Sequence, residues 1–270
     1  MIKVRVHEGN INTLKFKEPQ DIEIFYFDSL FTCNIKCIYC HHYRNTNPVK
    51  IEDFKRFLDT QVNSIGEFSL GCGMEPTMDK RMVDFAEIVG SHIKKPRWLK
   101  LQTNGTILHH HDLDRLFSVG VNSVCFSLDS VDATVHKVHR GASDLDQIIK
   151  NIKTVREKLS HGIVGLMATV TRLSAPKLDE FLEFAVNNGI NGVCIKKMYH
   201  YPENNMIKDH DWMRSMILTE EEFINICEPL KNKYKDKLWF IFEAEEKRKD
   251  NLGTILTKMQ NDNAVPEVYS

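Results

Sequence analysis

A chain of 270 residues with a formal net charge of -1 is long enough for one large α/β domain or two small ones. Its 42% hydrophobic and 27% charged residues are typical of a soluble globular protein, and the balanced charge disfavours a nucleic-acid partner. No apolar run approaches the roughly 20 residues of a membrane span. The opening MIKVRVHEGN lacks the apolar core of a signal peptide, and seven cysteines, an odd number, disfavour a secreted disulfide framework. We therefore expect a cytoplasmic protein without a membrane partner.

The predicted elements alternate between strand and helix in chain order. Runs rich in β-branched and aromatic residues predict strands at residues 22–31, 67–73, 98–105, 121–130, 163–172 and 192–198. Helical apolar spacing follows at residues 49–66, 81–93, 112–120, 143–159, 175–189 and 219–235. Such repeats predict parallel strands joined by right-handed crossovers. The expected fold class is α/β, a partial (β/α)6 TIM-like barrel over residues 1–218.

The C-terminal residues 219–270 are expected to form a short α+β extension packed on this barrel. The predicted helix 219–235 contains a proline, and the apolar run 238–244 predicts one more strand. The charged segment EEKRKDN follows, and the chain ends in QNDNAVPEVYS, which has the composition of a loose tail.

The polar motifs of the chain follow the predicted strands. Active sites of β/α barrels lie at the carboxyl ends of the strands, where the loops to the helices emerge. CNIKCIYC (33–40), GCGMEP (71–76), QTNG (102–105) and SLDS (127–130) come at the ends of the first four predicted strands. These segments are therefore expected to line one active site.

The segment CNIKCIYC places Cys33, Cys37 and Cys40 within eight residues. This spacing also fits one face of a buried helix, or a zinc site completed by His41 or His42. The segment has no helix cap and no apolar stripe, which disfavours the buried helix. Iron–sulfur clusters take cysteine thiolates, normally four, and three would leave one iron open to a cofactor or substrate. The motif therefore favours an open iron–sulfur cluster, with structural zinc as the alternative.

Five motifs in this order resemble the radical S-adenosylmethionine (SAM) superfamily. The cysteine segment is similar to the CxxxCxxC cluster loop of that family. The segments that match its later motifs are Gly73-Met74-Glu75-Pro76, Thr103-Asn104-Gly105, Ser127-Leu128-Asp129-Ser130, and His136 with His139-Arg140-Gly141. The family has a second glycine where this chain has Met74, which a contact through the backbone tolerates.

The resemblance implies a 4Fe–4S cluster held by Cys33, Cys37 and Cys40, with SAM at the open iron. It implies that the reduced cluster cleaves SAM to a 5′-deoxyadenosyl radical, which abstracts a hydrogen atom from the substrate. The residues expected to bind SAM are Tyr39, Gly73, Met74, Glu75, Thr103, Asn104, Ser127, Asp129, Arg140 and Met198. Within this set, the backbone of the GMEP segment is expected to hold the amino group, and Arg140 is a candidate to pair the carboxylate.

The other four cysteines are Cys72, Cys125, Cys194 and Cys227. They are widely spaced and form no CxxC pair, so a single cluster is expected, without the auxiliary clusters of some relatives. Cys125 and Cys194 lie inside predicted strands and are expected in the core. Cys72 adjoins the end of the second predicted strand and is a candidate hydrogen-atom donor to a substrate radical.

The motif style is most similar to the branch with peptide- and sulfatase-modifying enzymes and molybdopterin-precursor synthases. This similarity favours a peptide, protein or small-metabolite substrate and an electron donor such as flavodoxin or ferredoxin. Two alternatives stay open at the level of sequence. One is an activase that installs a glycyl radical on a large partner enzyme, and the other is a zinc-stabilised binding module without catalytic activity.

Overall fold

The computed structural model describes residues 2–7, 9–40, 47–141, 143–200 and 209–243, with side chains up to residue 241. The chain divides into two compact units. The first unit comprises Met1–Asn34, His42–Phe126 and Asp146–Ile163. The second unit comprises Ile35–His41, Ser127–Leu145 and Val164–Ser270.

Strands and helices alternate along most of the described chain. The strands are β1 (Ile2–His7), β2 (Gln20–Asp28), β3 (Val62–Leu70), β4 (Trp98–Thr103), β5 (Val121–Ser127), β6 (Ile163–Val170), β7 (Gly192–Lys197) and β8 (Trp239–Glu243). The helices are α1 (Ile51–Gln61), α2 (Met82–Ser91), α3 (Leu113–Ser118), α4 (Ala133–Arg140), α5 (Leu145–Lys158), α6 (Leu178–Asn187), α7 (His210–Ser215) and α8 (Glu220–Tyr234). None of the helices in the described ranges has the length and apolar character needed to span a bilayer.

The strands of both units pair in parallel. In the first unit β1 pairs with β2, β2 with β3, β3 with β4 and β4 with β5. In the second unit β6 pairs with β7, and β7 pairs with β8. Within each unit the strand order follows chain order. Parallel neighbours require crossover connections, which the intervening helices supply. The predicted parallel α/β architecture is confirmed.

Phenylalanine side chains form much of the core of the first unit. Phe25 and Phe27 lie on one face of β2, because side chains two residues apart on a strand point the same way. The Phe27 ring lies 4.3 Å from that of Phe54 on α1 and 5.0 Å from that of Phe85 on α2. The Phe25 ring lies 4.9 Å from that of Phe68 on β3. All five rings are buried, so they hold β2 and β3 firmly against α1 and α2.

Apolar residues of β6 and α6 form a core in the second unit. Leu166 and Val170 of β6 are buried, as are Phe181 and Leu182 of α6. Strand β8 extends this unit by pairing with β7 from Gly192↔Trp239 to Lys196↔Glu243. The strand predicted at residues 238–244 is thereby confirmed, and it is a parallel neighbour of β7.

Strand β1 was not among the predicted strands. It is six residues long and carries charges, but Val4 and Val6 are buried on one face of the strand. It pairs with β2 from Ile2↔Ile22 to His7↔Asp28. A short strand on the edge of a sheet gains its stability from this pairing, which the sequence of the segment alone does not reveal.

The end of α1 and the presence of α4 also differ from the predictions. The helix predicted to reach residue 66 ends at Gln61, and β3 begins at Val62. Pairing with β2 wins over the helical pattern here, and the side chains of Asn63 and Ser64 donate to Asp21 at 2.8 and 2.6 Å. Helix α4 was not predicted and begins after Asp132, whose carboxylate caps its first turn.

Candidate active site

Cys33 lies in the irregular segment after β2, where its sulfur accepts a hydrogen bond. The Nδ2 atom of Asn104, just after β4, lies 3.6 Å from the Cys33 Sγ atom and 2.9 Å from the Asn34 Oδ1 atom. The Asn34 side chain donates in turn to the Thr106 hydroxyl at 2.7 Å. The loop after β4 thus supplies a polar N–H group to the sulfur, a contact that favours a thiolate.

Glu75 connects three loops of the first unit. Its carboxylate accepts hydrogen bonds from the hydroxyls of Thr77 and Thr103 at 2.6 and 2.7 Å and from the backbone N–H of Asn104 at 2.6 Å. Its own backbone N–H donates to the Thr32 carbonyl at 3.0 Å. Burial raises the pKa of Glu75, against the effect of these donors. The side chain therefore fixes loop geometry, while the prediction for this segment concerned its backbone.

Asp28 at the end of β2 holds the backbone of the loop after β3. Its Oδ1 atom accepts the backbone N–H groups of Cys72, Gly73 and Met74 at 3.1, 3.3 and 3.1 Å. Its Oδ2 atom accepts from the Arg5 guanidinium at 2.8 Å. The sequence analysis placed this residue correctly in a strand but did not identify it as a site residue. A buried acidic residue directly after the apolar run IFYF is the signal that could have identified it.

Gly71 begins the same loop in a conformation that suits glycine. Its φ is 79°, and its N–H donates to the Phe27 carbonyl at 2.8 Å. A Cβ atom at this position would lie 2.7 Å from the Gln102 carbonyl oxygen and 2.8 Å from the Pro76 Cδ atom. Both the backbone angle and the close approach therefore require a residue without a side chain.

Substitution of Gly71 by alanine is expected to destabilise the protein more than substitution of Gly120. Gly120 also has a positive φ, 107°, but a Cβ atom there would meet nothing within 4 Å. We expect Gly120→Ala to cost about 1–2 kcal/mol from backbone strain. Overpacking should add about 1–3 kcal/mol in Gly71→Ala. Urea unfolding of both variants measures the difference, and equal losses would contradict the steric argument.

In the second unit, Arg140 at the end of α4 joins the cysteine loop, residues 33–40, to Asp129. Its Nε and Nη2 atoms donate to the two carboxylate oxygens of Asp129, both at 2.9 Å. Its Nη1 atom lies 3.8 Å from the Cys37 Sγ atom. The Tyr39 hydroxyl also donates to Asp129, and the backbone N–H of Ile38 donates to the His139 carbonyl at 3.0 Å. The loop residues 37–39 are therefore anchored to α4 and to Asp129.

The buried charges of this network compensate one another. Burial alone would raise the pKa of Asp129, but Arg140 and His139 hold that pKa well below its usual range. Burial likewise opposes the charge on Arg140, and the carboxylate of Asp129 nevertheless holds the pKa of Arg140 well above its usual value. Burial raises the pKa of Tyr39, which stays a neutral hydrogen-bond donor. Asp129 and Arg140 thus form an ion pair at neutral pH.

The remaining predicted SAM-binding residues have different degrees of exposure. In the first unit, Gly73 is half-buried, and Met74 and Thr103 are buried. In the second unit, Ser127 is half-buried. Met198 is fully buried and forms an apolar cluster with Met213. The partly buried side chains that pack against this cluster are Ile38, Tyr39, Trp212, Met216 and Ile217. The Met198 N–H donates to the Val170 carbonyl at 3.0 Å, so the backbone of this residue is held by β6.

The seven cysteines fall into two groups. None of them forms a disulfide, and all lie in the described ranges. Cys125, Cys194 and Cys227 are buried, as predicted for the first two, and burial raises the pKa of Cys227 to about 12. The cysteines that are half-buried are Cys33, Cys37, Cys40 and Cys72.

The cluster loop fits iron–sulfur ligation by its conformation and by its donors. Residues 31–40 form neither helix nor strand, which contradicts the buried-helix alternative. The sulfurs of Cys33 and Cys37 each face a polar N–H group, from Asn104 and Arg140. Among the described residues, no three His, Cys, Asp or Glu side chains are grouped so as to share one metal ion. A cubane does not require such a group, because each thiolate binds a different iron of the cluster. His41 and His42, the candidate zinc ligands, lie outside the described residues.

Fold and loops together define an α/β protein whose polar side chains follow the carboxyl ends of parallel strands, with three reduced thiols after β2. The sequence matches the family model of the Radical SAM superfamily over residues 30–185. This match covers more than half of the chain, and the chain therefore belongs to the radical SAM superfamily of enzymes.

Curated relatives include archaeal enzymes of different names. The probable GTP 3′,8-cyclase of Pyrococcus abyssi is 28% identical over 203 residues, which are 72% of this chain and 63% of that protein. The tungsten-containing aldehyde ferredoxin oxidoreductase cofactor-modifying protein of Pyrococcus furiosus is 25% identical over 189 residues, 66% of this chain and 52% of that protein. The chain thus spans roughly half to two thirds of the length of these relatives.

Solved structures share the fold at lower identity. SuiB of Streptococcus suis bound to its precursor peptide SuiA has a TM-score of 0.64 and 18% identity, covering 87% of this chain and 51% of SuiB. The protein anSMEcpe with bound AdoMet has a TM-score of 0.63 and 16% identity, covering 82% of this chain and 61% of that protein. The predicted fold class, the partial barrel of radical SAM enzymes, is confirmed by these likenesses.

Proposed function

We propose that this chain reductively cleaves SAM at a single 4Fe–4S cluster and abstracts hydrogen from an organic substrate through the resulting 5′-deoxyadenosyl radical. Cys33, Cys37 and Cys40 are the proposed cluster ligands. The observation that carries the proposal is the direction of polar N–H groups at two sulfurs of this loop, in a chain of the radical SAM superfamily. Such donors stabilise negative charge on sulfur, as a cluster ligand requires.

The residues around the loop have distinct tasks in this proposal. Asn104 and Arg140 stabilise the charge on the sulfurs of Cys33 and Cys37. The proposed SAM-binding set is the one predicted from the motifs, namely Tyr39, Gly73, Met74, Glu75, Thr103, Asn104, Ser127, Asp129, Arg140 and Met198. Within this set, Glu75 and Asp129 act mainly by holding the side chains of Thr103 and Arg140, because their carboxylates accept hydrogen bonds from those residues. Cys72, a half-buried thiol, is proposed as a hydrogen-atom donor to the substrate radical.

The proposed substrate is a peptide, a protein or a small metabolite. The relative named as a probable GTP 3′,8-cyclase supports a small molecule. SuiB shares the fold, and its structure with a precursor peptide is compatible with a peptide substrate. Cleavage of SAM needs one electron for each turnover, which a flavodoxin or ferredoxin would deliver.

We also propose a cytoplasmic location and the division into a barrel core, residues 1–218, and an extension, residues 219–270.

Anaerobic reconstitution tests the proposed function directly. The protein should become brown and bind about four irons per chain. Reductant and SAM should then yield 5′-deoxyadenosine, quantified by chromatography. A folded, reconstituted protein that never cleaves SAM with any candidate substrate would overturn the proposal. A colourless protein with one zinc would favour a structural metal, and cleavage that requires a large partner enzyme would favour an activase.

A further inference from the structure

Asp28 receives five hydrogen-bond donors on one buried carboxylate. Three are the consecutive backbone N–H groups of residues 72–74, all directed at Oδ1. The other two are the Nε and Nη2 atoms of Arg5, at 3.1 and 2.8 Å from Oδ2. Asp28 is 2% exposed, so these donors replace the water that a carboxylate would otherwise bind. Because five donors converge on this carboxylate, the fold fixes the position of the Asp28 side chain.

The three N–H groups form a concave arrangement of the kind that binds anions. Here the chain fills it with its own carboxylate, so the arrangement is closed to an anionic ligand. In a trans peptide the N–H and C=O bonds point in opposite directions. The carbonyl oxygens of Cys72 and Gly73 therefore point away from Asp28, while that of Gly71 accepts the Ser69 hydroxyl at 3.0 Å. Backbone carbonyl oxygens on that side of the loop suit a positively charged donor such as an ammonium group.

Arg5 links this loop to strand β1. The Arg5 guanidinium also lies 5.6 Å from the ring centre of Phe31, which precedes Cys33 by two residues. The Phe31 ring in turn lies 5.2 Å from the His7 ring. Strand β1 therefore contacts both the start of the cysteine segment and, through Asp28, the loop after β3. A strand that was not predicted to belong to the barrel supports two of its loops.

We propose that Asp28 and Arg5 are positioning residues for the amino group of SAM. Asp28 holds the N–H groups of residues 72–74, so that the carbonyl oxygens of Cys72 and Gly73 lie on the side proposed to receive the ammonium group. Arg5 compensates the charge of Asp28 and keeps that carboxylate in place. The inference deepens the proposed function, on which it rests, and assigns a role to strand β1.

The first measurement is the rate of amide hydrogen exchange at residues 72–74, resolved by residue, in the protein without a reconstituted cluster. In the wild-type protein, the amides of Cys72, Gly73 and Met74 should be protected. Asp28→Leu and Arg5→Met should accelerate their exchange about tenfold or more, because the N–H groups lose their acceptor or its fixed position. Arg5 is one-third exposed, so Arg5→Met serves where Asp28→Leu fails to fold.

The second measurement is SAM affinity of the reconstituted proteins by equilibrium dialysis. Both variants should bind SAM about tenfold more weakly, with unchanged iron content. Asp28→Asn, which keeps one acceptor oxygen but loses the ion pair, should fall between wild type and Asp28→Leu. The matched control is Arg56→Met, which removes an arginine that pairs with Asp53 on α1 and is 59% exposed.

The outcomes separate the two proposals. A wild-type protein that binds no iron and no SAM overturns the proposed function together with the positioning role in SAM binding. Folded Asp28→Leu and Arg5→Met variants that bind SAM within twofold of the wild type overturn the positioning role alone. Unchanged exchange of the amides at residues 72–74 in these variants also overturns it, whatever the enzyme does.

Discussion

Replacement of Cys37 by alanine is expected to abolish both the assembly of the 4Fe–4S cluster and the cleavage of SAM. Two thiolates are too few to hold a cluster that normally takes three or four. Cys37 is half-buried in a segment without helix or strand, so the free energy of unfolding should stay within about 1 kcal/mol of the wild-type value. Iron content measures the loss of the cluster, and formation of 5′-deoxyadenosine measures SAM cleavage. Urea unfolding of the protein without iron measures stability.

Cys227→Ala is the matched control for this experiment. Cys227 is buried in α8 and belongs to no proposed ligand set. Its replacement should reduce stability by about 1–2 kcal/mol through the lost sulfur packing and leave about four irons in place. Full iron content in Cys37→Ala would contradict the assignment of this ligand. Unfolding of Cys37→Ala would instead indicate that the loop has a structural role.

Replacement of Arg140 by methionine is expected to cost about 3–5 kcal/mol of stability at neutral pH. Arg140 and Asp129 are both buried, with side chains 7% and 0% exposed, and removal of the arginine leaves an uncompensated carboxylate. Methionine keeps much of the volume, so most of the loss reflects charge. Urea unfolding of the protein without iron measures this effect independently of any cofactor.

The pH dependence of this loss has a defined sign. In the wild-type protein the pKa of Asp129 is lowered, so its stabilising contribution is present above the unfolded value of 3.8 and is lost as pH falls below it. In the variant, burial without Arg140 should raise that pKa above 3.8, and protonation on folding then relieves the penalty as pH falls. His139 on α4 and Tyr39 in the cysteine loop still face the carboxylate. The stability gap should therefore be smaller at pH 5 than at pH 7.

Arg172→Met provides the comparison for Arg140→Met. Arg172 pairs with Glu222 on the surface of the second unit, with side chains 43% and 39% exposed. Such a pair contributes about 0–1 kcal/mol, and its removal should have no larger effect. Equal losses in the two variants, or a gap that does not change between pH 7 and pH 5, would contradict the buried-charge argument.

The fold was largely predictable because its elements carry local patterns. The β-branched and aromatic run in β2 and the spacing of apolar residues in α1 are visible in the sequence, and their phenylalanines contribute to the buried core. Strand β1 and the start of β3 escaped prediction. Their conformation depends on pairing with β2, and residues 62–66 have a helical apolar pattern that this pairing overrides.

The site was predictable where a motif lies within one short segment. The cysteine spacing and the TNG and SLD segments could be located from the sequence. The structure places the cysteines after β2, and the other two segments begin at the last residues of β4 and β5. The task of Glu75 and the role of Asp28 could not be predicted. Asp28 is 44 residues from the first of the N–H groups that it holds, and no pattern in the sequence records such a contact.

The sequence by itself determined the parallel α/β class, the family motifs and the set of cysteines proposed as cluster ligands, because each depends on residue type and short spacing. The tertiary structure decided which charges are compensated, as for Asp129 by Arg140 and for Asp28 by Arg5. The physical reason is that hydrogen bonds and burial depend on distances in space. Only folding brings donors and acceptors that are far apart in the chain within about 3 Å of each other.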